Sequence, residues 1–422
     1  MNIFGVAIFI TLFTTFLVKV ISELLNLRAA ASPLPSEYAA LADNATRQKS
    51  RDYLAATTRL SLFSAGFDLI ALIIFWFSGS FNLLDQTLRS LGFNSIITGM
   101  LYIGTLMLVQ SIIELPFSLV RTFIVEEKFG FNKTTIGVFL GDLAKTALLS
   151  IIIGLPVLAA LLWFFESAGN LAWLWAWSGI VLFSLLLQYI APTWIMPMFN
   201  TFKPLLDNEL SRAIMQYSAK VQFPLSGIFE IDGSKRSSKA NAFFTGFGKR
   251  KRIALYDTLI KAHPVPELVA VLAHEIGHFK KKHILINLLM SSANLALLFF
   301  LLSLMMHNRQ LFDAFFMEET SVYGSLLFFT LLYTPAELML SVFMHAISRK
   351  HEYEADAFAV TTYEQGSALA DALLKLSHHN LSNLTPHPLY VFLNYSHPPV
   401  VERLQRIKAL LASQTQRSTP TL

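Results

Sequence analysis

The 422-residue chain contains no cysteine. No disulfide framework and no thiolate metal site is therefore open to it, and any metal ion must be held by His, Asp or Glu. Charge is scarce as well. Only 14% of the residues are Asp, Glu, Lys or Arg, against about 25% in a soluble domain, while 54% are hydrophobic and 36 are Phe. A deficit of this size, gathered into long uncharged runs, excludes an ordinary soluble protein and points to a polytopic membrane protein. Internal repeats and low-complexity stretches are also missing, which excludes a solenoid or a disordered tail protein.

What is present is seven runs long enough to cross a bilayer, for which about 20 apolar residues are needed. They cover 3–25, 60–79, 96–120, 140–165, 171–195, 284–306 and 322–347. The first lacks the basic start and small-residue cleavage site of a signal peptide, so a retained helix is expected. Basic residues set the orientation. The first connection carries Arg28, Arg47, Lys49, Arg51 and Arg59, and the third Arg121, Lys128 and Lys133. The second has only Arg89, the fourth no Lys or Arg, and the last only Arg309. The positive-inside rule places the N-terminus outside and the basic connections, the segment 196–283 and the C-terminal tail in the cytosol.

The segment 196–283 is the first long water-soluble stretch, with fourteen Lys or Arg against seven Asp or Glu. Positive-inside retention near anionic lipid accounts for most of that excess, so no nucleic-acid partner is expected; a smaller share is attraction of an acidic or C-terminal carboxylate substrate. Its pattern predicts a helix near 208–221 and a strand near 227–232. A second strand region follows at 242–256, with a hairpin turn at Thr245-Gly246-Phe247-Gly248. A further helix is predicted from Pro266–Glu267 onward.

That last helix carries His274-Glu275-Ile276-Gly277-His278. HExxH on a helix puts two imidazoles about 40° apart around the axis, both able to reach one metal ion, with the glutamate between them free to act as a base. A catalytic zinc commonly has three protein ligands, and His with His and Glu is one such set. Past the seventh apolar run stands His351-Glu352-Tyr353-Glu354-Ala355-Asp356. Runs six and seven form an antiparallel hairpin, so this acidic motif emerges on the same side of the membrane as HExxH. Glu352 and Asp356, at i and i+4, share a helical face that offers one metal ligand and one carboxylate to orient a ligand imidazole. Spacing does not say which is which. Glu354 points the other way and reads as a solvated charge, and His345 and His351 as packing residues.

These motifs resemble the type I CAAX prenyl proteases, integral-membrane zinc endopeptidases of the gluzincin type. The likeness extends along nearly the whole chain. It takes in Glu126-Glu127-Lys128-Phe129-Gly130-Phe131-Asn132, Pro197-Met198-Phe199-Asn200-Thr201-Phe202-Lys203-Pro204 and Ser237-Ser238-Lys239-Ala240-Asn241-Ala242-Phe243-Phe244. It continues with Lys251-Arg252-Ile253-Ala254-Leu255-Tyr256-Asp257-Thr258 and Ser396-His397-Pro398-Pro399-Val400-Val401-Glu402-Arg403.

The resemblance implies a mainly α polytopic protein whose seven transmembrane helices enclose a water-filled chamber, capped by a small α+β zinc metalloprotease domain. The expected division is 1–195 for five helices, 196–283 for the HExxH segment, 284–347 for two helices and 348–422 for the rest of the protease. It implies one Zn2+ ion on His274, His278 and Glu352, with Asp356 supporting a ligand histidine and Glu275 as the base. It also implies His397 and Arg403 as stabilisers of the oxyanion, and Asn241, Ala242 and Phe243 on the strand that lines the substrate. The polar residues Asp68, Gln110, Glu114, Asp142, Lys145, Gln188, Asn287, Asn294 and Glu337 within the apolar runs fit such a chamber. The implied reaction is removal of the aaX tripeptide from a prenylated CAAX terminus by a monomer in the lipid bilayer. The compact loops suggest a bacterial member in an inner membrane rather than the endoplasmic reticulum. The alternative is a quality-control metalloprotease without prenyl specificity.

Overall fold

The computed structural model describes residues 1–34, 43–245 and 251–418. From the N-terminus come α1 (Ile3–Ala29), α2 (Asn44–Phe77), the short α3 (Ser80–Arg89) and α4 (Ser95–Val120). Next are α5 (Ile136–Leu149), α6 (Leu155–Ser167), α7 (Ala172–Ile190) and the single turn α8 (Met196–Phe199). A π-helical turn at Ser150–Gly154 joins α5 and α6 into one span. Similar turns extend α4 through Arg121–Glu126 and α7 through Ala191–Ile195. Two of these turns lie at a proline, Pro156 just after Ser150–Gly154 and Pro192 within Ala191–Ile195, whose missing N–H interrupts the i to i−4 ladder and lets the chain wind wider there.

The polar middle contains β1 (Phe202–Pro204), α9 (Glu209–Lys220), β2 (Leu225–Ile231), β3 (Ala242–Thr245), β4 (Lys251–Tyr256), α10 (Asp257–Ala262) and α11 (Val265–Lys280). After it come α12 (His283–Met305), α13 (Arg309–Asp313), α14 (Val322–Thr362), α15 (Ala368–His379), α16 (Pro388–Asn394) and α17 (Val400–Ser418). The protein is mainly helical. Among the described residues, seven helical stretches are long and apolar enough to cross a membrane: α1, α2, α4, α5–α6, α7, α12 and α14, each with its flanking turns. They coincide with the seven runs read from the sequence. Two outrun them furthest, because a helix stops at a cap and not where hydropathy falls. α2 already begins at Asn44, behind the side-chain cap of Asp43. α14 runs unbroken to Thr362, so the boundary expected at 347 falls inside a helix.

Large apolar side chains such as Ile70, Met107, Leu182 and Met339 are more than half exposed on these helices. In water such a surface would drive association; on a helix of membrane-spanning length it is suited to lipid. At the end of the bundle away from the polar segment, Trp76, Phe81, Phe312, Phe315 and Phe328 pack into a dense aromatic cluster. There the buried Asp85 accepts hydrogen bonds from Tyr323 and Arg89.

The sheet has the order β1-β2-β4-β3. β2 pairs with β4 in parallel, and the two outer pairings are antiparallel. β3 and β4 are in hairpin register, Ala242 opposite Leu255 and Thr245 opposite Arg252. The expected turn at Gly246-Phe247-Gly248 lies outside the described residues. Among the described residues, β3 is paired on one side only and keeps one free edge. Beneath the sheet, Ile214, Phe223, Ile253, Leu255, Leu268, Leu272, Leu369 and Ile407 form the core of the protease part.

Candidate metal centre

The N-terminal turn of α11 is pinned from two sides. The Glu267 carboxylate pairs with His263 at 2.7 Å and with Lys375 of α15. One face of α11, with Leu268, Val269, Leu272, Ala273 and Ile276, enters the core. The opposite face, with Val271, His274, Glu275 and His278, lines a cavity of about 660 Å³. The 3.6-residue period alone thus separates the residues that fix the helix from those that face the cavity.

α14 crosses α11 at Gly277. A Cβ there would lie 3.0 Å from the Ala355 Cα and 3.1 Å from its carbonyl oxygen. Glycine and alanine at the crossing let the two backbones approach closely, and this brings Glu352 to the histidines. The Nε2 of His274 is 3.4 Å from Glu352 Oε2, and that of His278 is 3.2 Å from Glu352 Oε1. One ligand atom from each of the three residues lies within 4.8 Å of the others. This is a cluster suited to one metal ion.

Behind His274, Nδ1 stands 2.8 Å from Asp356 Oδ1. Arg403 grips the same carboxylate in a fork, Nε to Oδ2 at 2.8 Å and Nη2 to Oδ1 at 2.6 Å. Burial disfavours the charged form of His274, but the carboxylates of Asp356 and Glu352 outweigh it and hold the ring's pKa up at about 9. Surroundings that attract a proton this strongly attract a metal cation for the same reason.

Behind His278 the arrangement differs from the sequence reading. Lys281 and Lys282, the latter in the left-handed region at φ 60°, fold the start of α12 back over α11. His283 Nδ1 then lies 3.0 Å from His278 Nδ1, and His283 Nε2 lies 3.0 Å from Glu354 Oε2. Glu354 is thus a hydrogen-bond partner of the buried His283 and not a solvated charge. The correction comes from the neighbouring helix, which the spacing around Glu354 does not report. His351 stacks on His283 with ring centroids 3.9 Å apart, and His345 bonds the Leu393 carbonyl at 3.0 Å; both pack as expected.

His397 Nε2 is 3.4 Å from Glu352 Oε1 with a side chain 65% exposed in the cavity, while Arg403 is buried with Nη1 3.5 Å from Glu352 Oε2. Of the strand residues, Asn241 and Ala242 line the cavity with Ala240. Phe243 is not among the lining residues and turns toward the Tyr256 ring. A second polar cavity of about 510 Å³ lies between α1, α2 and α4, where Lys19, Glu23, Asp68, Glu114 and Arg121 meet. Other polar membrane residues bond to neighbours: Gln110 to Glu114, Asp142 to Arg236, Lys145 to the Met198 carbonyl, and Asn294 to Tyr333. Gln188, Asn287 and Glu337 line neither of these two cavities.

Two family models cover the chain almost end to end, "CAAX prenyl protease N-terminal, five membrane helices" over residues 23–201 and "Peptidase family M48" over residues 204–411. The chain belongs to the CAAX prenyl protease 1 family. It is a membrane metalloprotease of peptidase family M48. The chain is 32% identical to the CAAX prenyl protease 1 homolog of Taenia solium, over 97% of this chain and 96% of that protein. With CAAX prenyl protease 1 of Saccharomyces cerevisiae the identity is 37%, over 86% and 85%. The crystal structure of S. mikatae Ste24p superposes with a TM-score of 0.92 at 32% identity, over 96% of this chain and 99% of that one. The relatives are eukaryotic, so the bacterial membership and bacterial inner membrane suggested by the compact loops find no support in them.

The family motifs acquire a physical meaning in the fold. The Glu126–Phe131 loop docks against Ser237–Lys239: Lys239 Nζ is 3.0 Å from Glu126 Oε2, and Tyr53 donates to Glu126 at 2.7 Å. Ser238 N bonds the Phe131 carbonyl at 3.0 Å. The membrane bundle thereby holds the segment leading into β3. Sequence reasoning missed this contact and missed His283, although a third histidine five residues after the HExxH histidine was available as a signal.

Proposed function

We propose that this protease cleaves a peptide bond near the C-terminus of a prenylated, membrane-held protein at the cytosolic face, using one zinc ion on His274, His278 and Glu352. The observation that carries the reading is the three-residue cluster, backed by Asp356 and open to a cavity beside a free strand edge. The donors fit zinc. Two imidazoles and one carboxylate form a common catalytic set, and Glu352 Oε2 is buried without a hydrogen-bond partner, as suits an atom that serves a cation. When bound, zinc supplies Lewis acidity, bringing the pKa of water toward about 7 and polarising a carbonyl.

The chain's own residues supply the rest. Glu275, on the cavity face between the histidines, takes a proton from the attacking water and hands it to the leaving amine nitrogen. His397, exposed in the cavity, donates from a ring N–H to the oxygen that gains charge in the transition state. Arg403 has Nε and Nη2 already engaged with Asp356, so its role is to position: it fixes Asp356, which fixes the His274 ring. The free edge of β3 offers backbone N–H and C=O groups to an extended peptide, with Asn241 and Ala242 along the cavity wall. Phe243 supports this edge by packing on Tyr256. The positive-inside pattern directs the cavity to the cytosol, where a C-terminal tail held by its lipid would present itself.

The prenyl requirement rests on the names of the relatives and is tested directly. Purified protein is assayed on matched prenylated and unprenylated CAAX peptides, with and without a chelator. Chelator-sensitive cleavage of the prenylated peptide alone is expected. Equal cleavage of both would leave a metalloprotease without prenyl recognition.

A further inference from the structure

We infer that His283 and Glu354 form a relay that locks His278 in the tautomer able to bind the metal. The inference rests on the reading of His278 as a ligand. If His278 offers Nε2 to the ion, its hydrogen sits on Nδ1. The atom facing that hydrogen at 3.0 Å is His283 Nδ1, which must then accept. An imidazole that accepts at Nδ1 carries its own hydrogen on Nε2. That nitrogen lies 3.0 Å from Glu354 Oε2, and an ionised carboxylate only accepts. A single assignment therefore satisfies every contact: His278 Nδ1–H to His283, and His283 Nε2–H to Glu354. The opposite tautomer of His278 would aim its hydrogen at the ion.

The relay is also mechanically fixed. The His283 ring is 1% exposed and stacks on His351 with ring planes only 10° apart, so it cannot turn away. Both ligand histidines are thus supported on the side away from the ion, His274 by Asp356 and His278 by His283. Partners of this kind are commonly worth 10–100-fold in metal affinity. The second relay joins the first residue of α12 to α14, tying the ligand to two membrane helices.

Two substitutions separate the relay from simple packing. In His283→Asn the side-chain oxygen replaces Nδ1 and can still accept from His278; in His283→Gln the amide reaches the Nε2 position and meets Glu354 only. Zinc affinity of the full-length protein in detergent is measured by chelator competition, with zinc alone as the probe. His283→Asn is expected to stay within about threefold of the parent and His283→Gln to weaken by roughly 10–100-fold. Equal losses in both would assign His283 to packing on His351 and overturn the relay, and so would no loss in either. Should both variants unfold on heating well below the parent, Glu354→Leu decides, because that side chain is 38% exposed; unchanged affinity there refutes the inference. His278→Ala keeps the two readings apart. If it retains zinc, the ligand set itself is wrong, whereas its loss with an unaffected His283→Gln refutes the relay alone.

Discussion

At the scale of single residues, the proposed zinc site divides into a proton carrier, ligands and supports, and each makes a different prediction. Glu275→Gln removes the base without touching a ligand, so turnover is expected to fall by at least about 10²–10⁴-fold with zinc content unchanged by metal analysis. Loss of zinc in that variant would make Glu275 a structural group. His274 predicts a pH dependence. Its carboxylate neighbours raise the pKa to about 9, so below that pH a proton must leave before a metal ion binds. Apparent zinc affinity should therefore rise about tenfold per pH unit between pH 6 and 8. Asp356→Asn removes one source of the shift and should flatten the slope as it lowers affinity at high pH; parallel slopes in titrations of parent and variant would contradict the assignment. HExxH and the pair Glu352 with Asp356 were legible because helical spacing alone puts them on one face. His283 was not, because it reaches His278 through a left-handed turn at Lys282 that periodicity does not encode.

At the scale of elements, the site depends on how closely α11 and α14 cross. Two effects oppose each other in Gly277→Ala. Helix propensity favours alanine by about 1 kcal/mol. Overpacking costs about 1–3 kcal/mol, and it wins here because the atoms met at 3.0 and 3.1 Å belong to the Ala355 backbone, which cannot rotate aside. Gly277→Ala is expected to lower the melting temperature and to weaken zinc binding together, since the shift separates Glu352 from both histidines. A more stable variant with intact zinc affinity would remove the crossing from the explanation. The existence of these two helices could be read from apolar spacing, and the antiparallel arrangement of the sixth and seventh runs from the membrane itself. Their close contact was carried by Gly277 and Ala355, two small residues that a hydropathy pattern passes over. The parallel pairing of β2 with β4 was likewise hidden, because alternation names a strand and not its partner.

For the whole molecule, sequence patterning determined most of the architecture because the bilayer admits few solutions: backbone groups in hydrocarbon must be satisfied within helices, and seven apolar runs then become seven spans. What patterning left open was the attachment of the protease part to the bundle, through Lys239 with Glu126 and Arg236 with Asp142. Orientation remains the global property on which the functional reading depends. Each Lys or Arg near an anionic leaflet contributes about 1 kcal/mol, so the basic first and third connections together outweigh the single arginines opposite. The absence of cysteine makes this measurable without a background. Single cysteines at Gln86 in α3 and at Glu209 in α9, both exposed, lie on opposite sides of the membrane in this arrangement. A membrane-impermeant maleimide should label Gln86→Cys in sealed vesicles with the outer face exposed, and Glu209→Cys only after permeabilisation. The reverse pattern would place the metal cluster on the side away from the cytosol, and with it the prenylated tails that this site is proposed to cut would have to be found elsewhere.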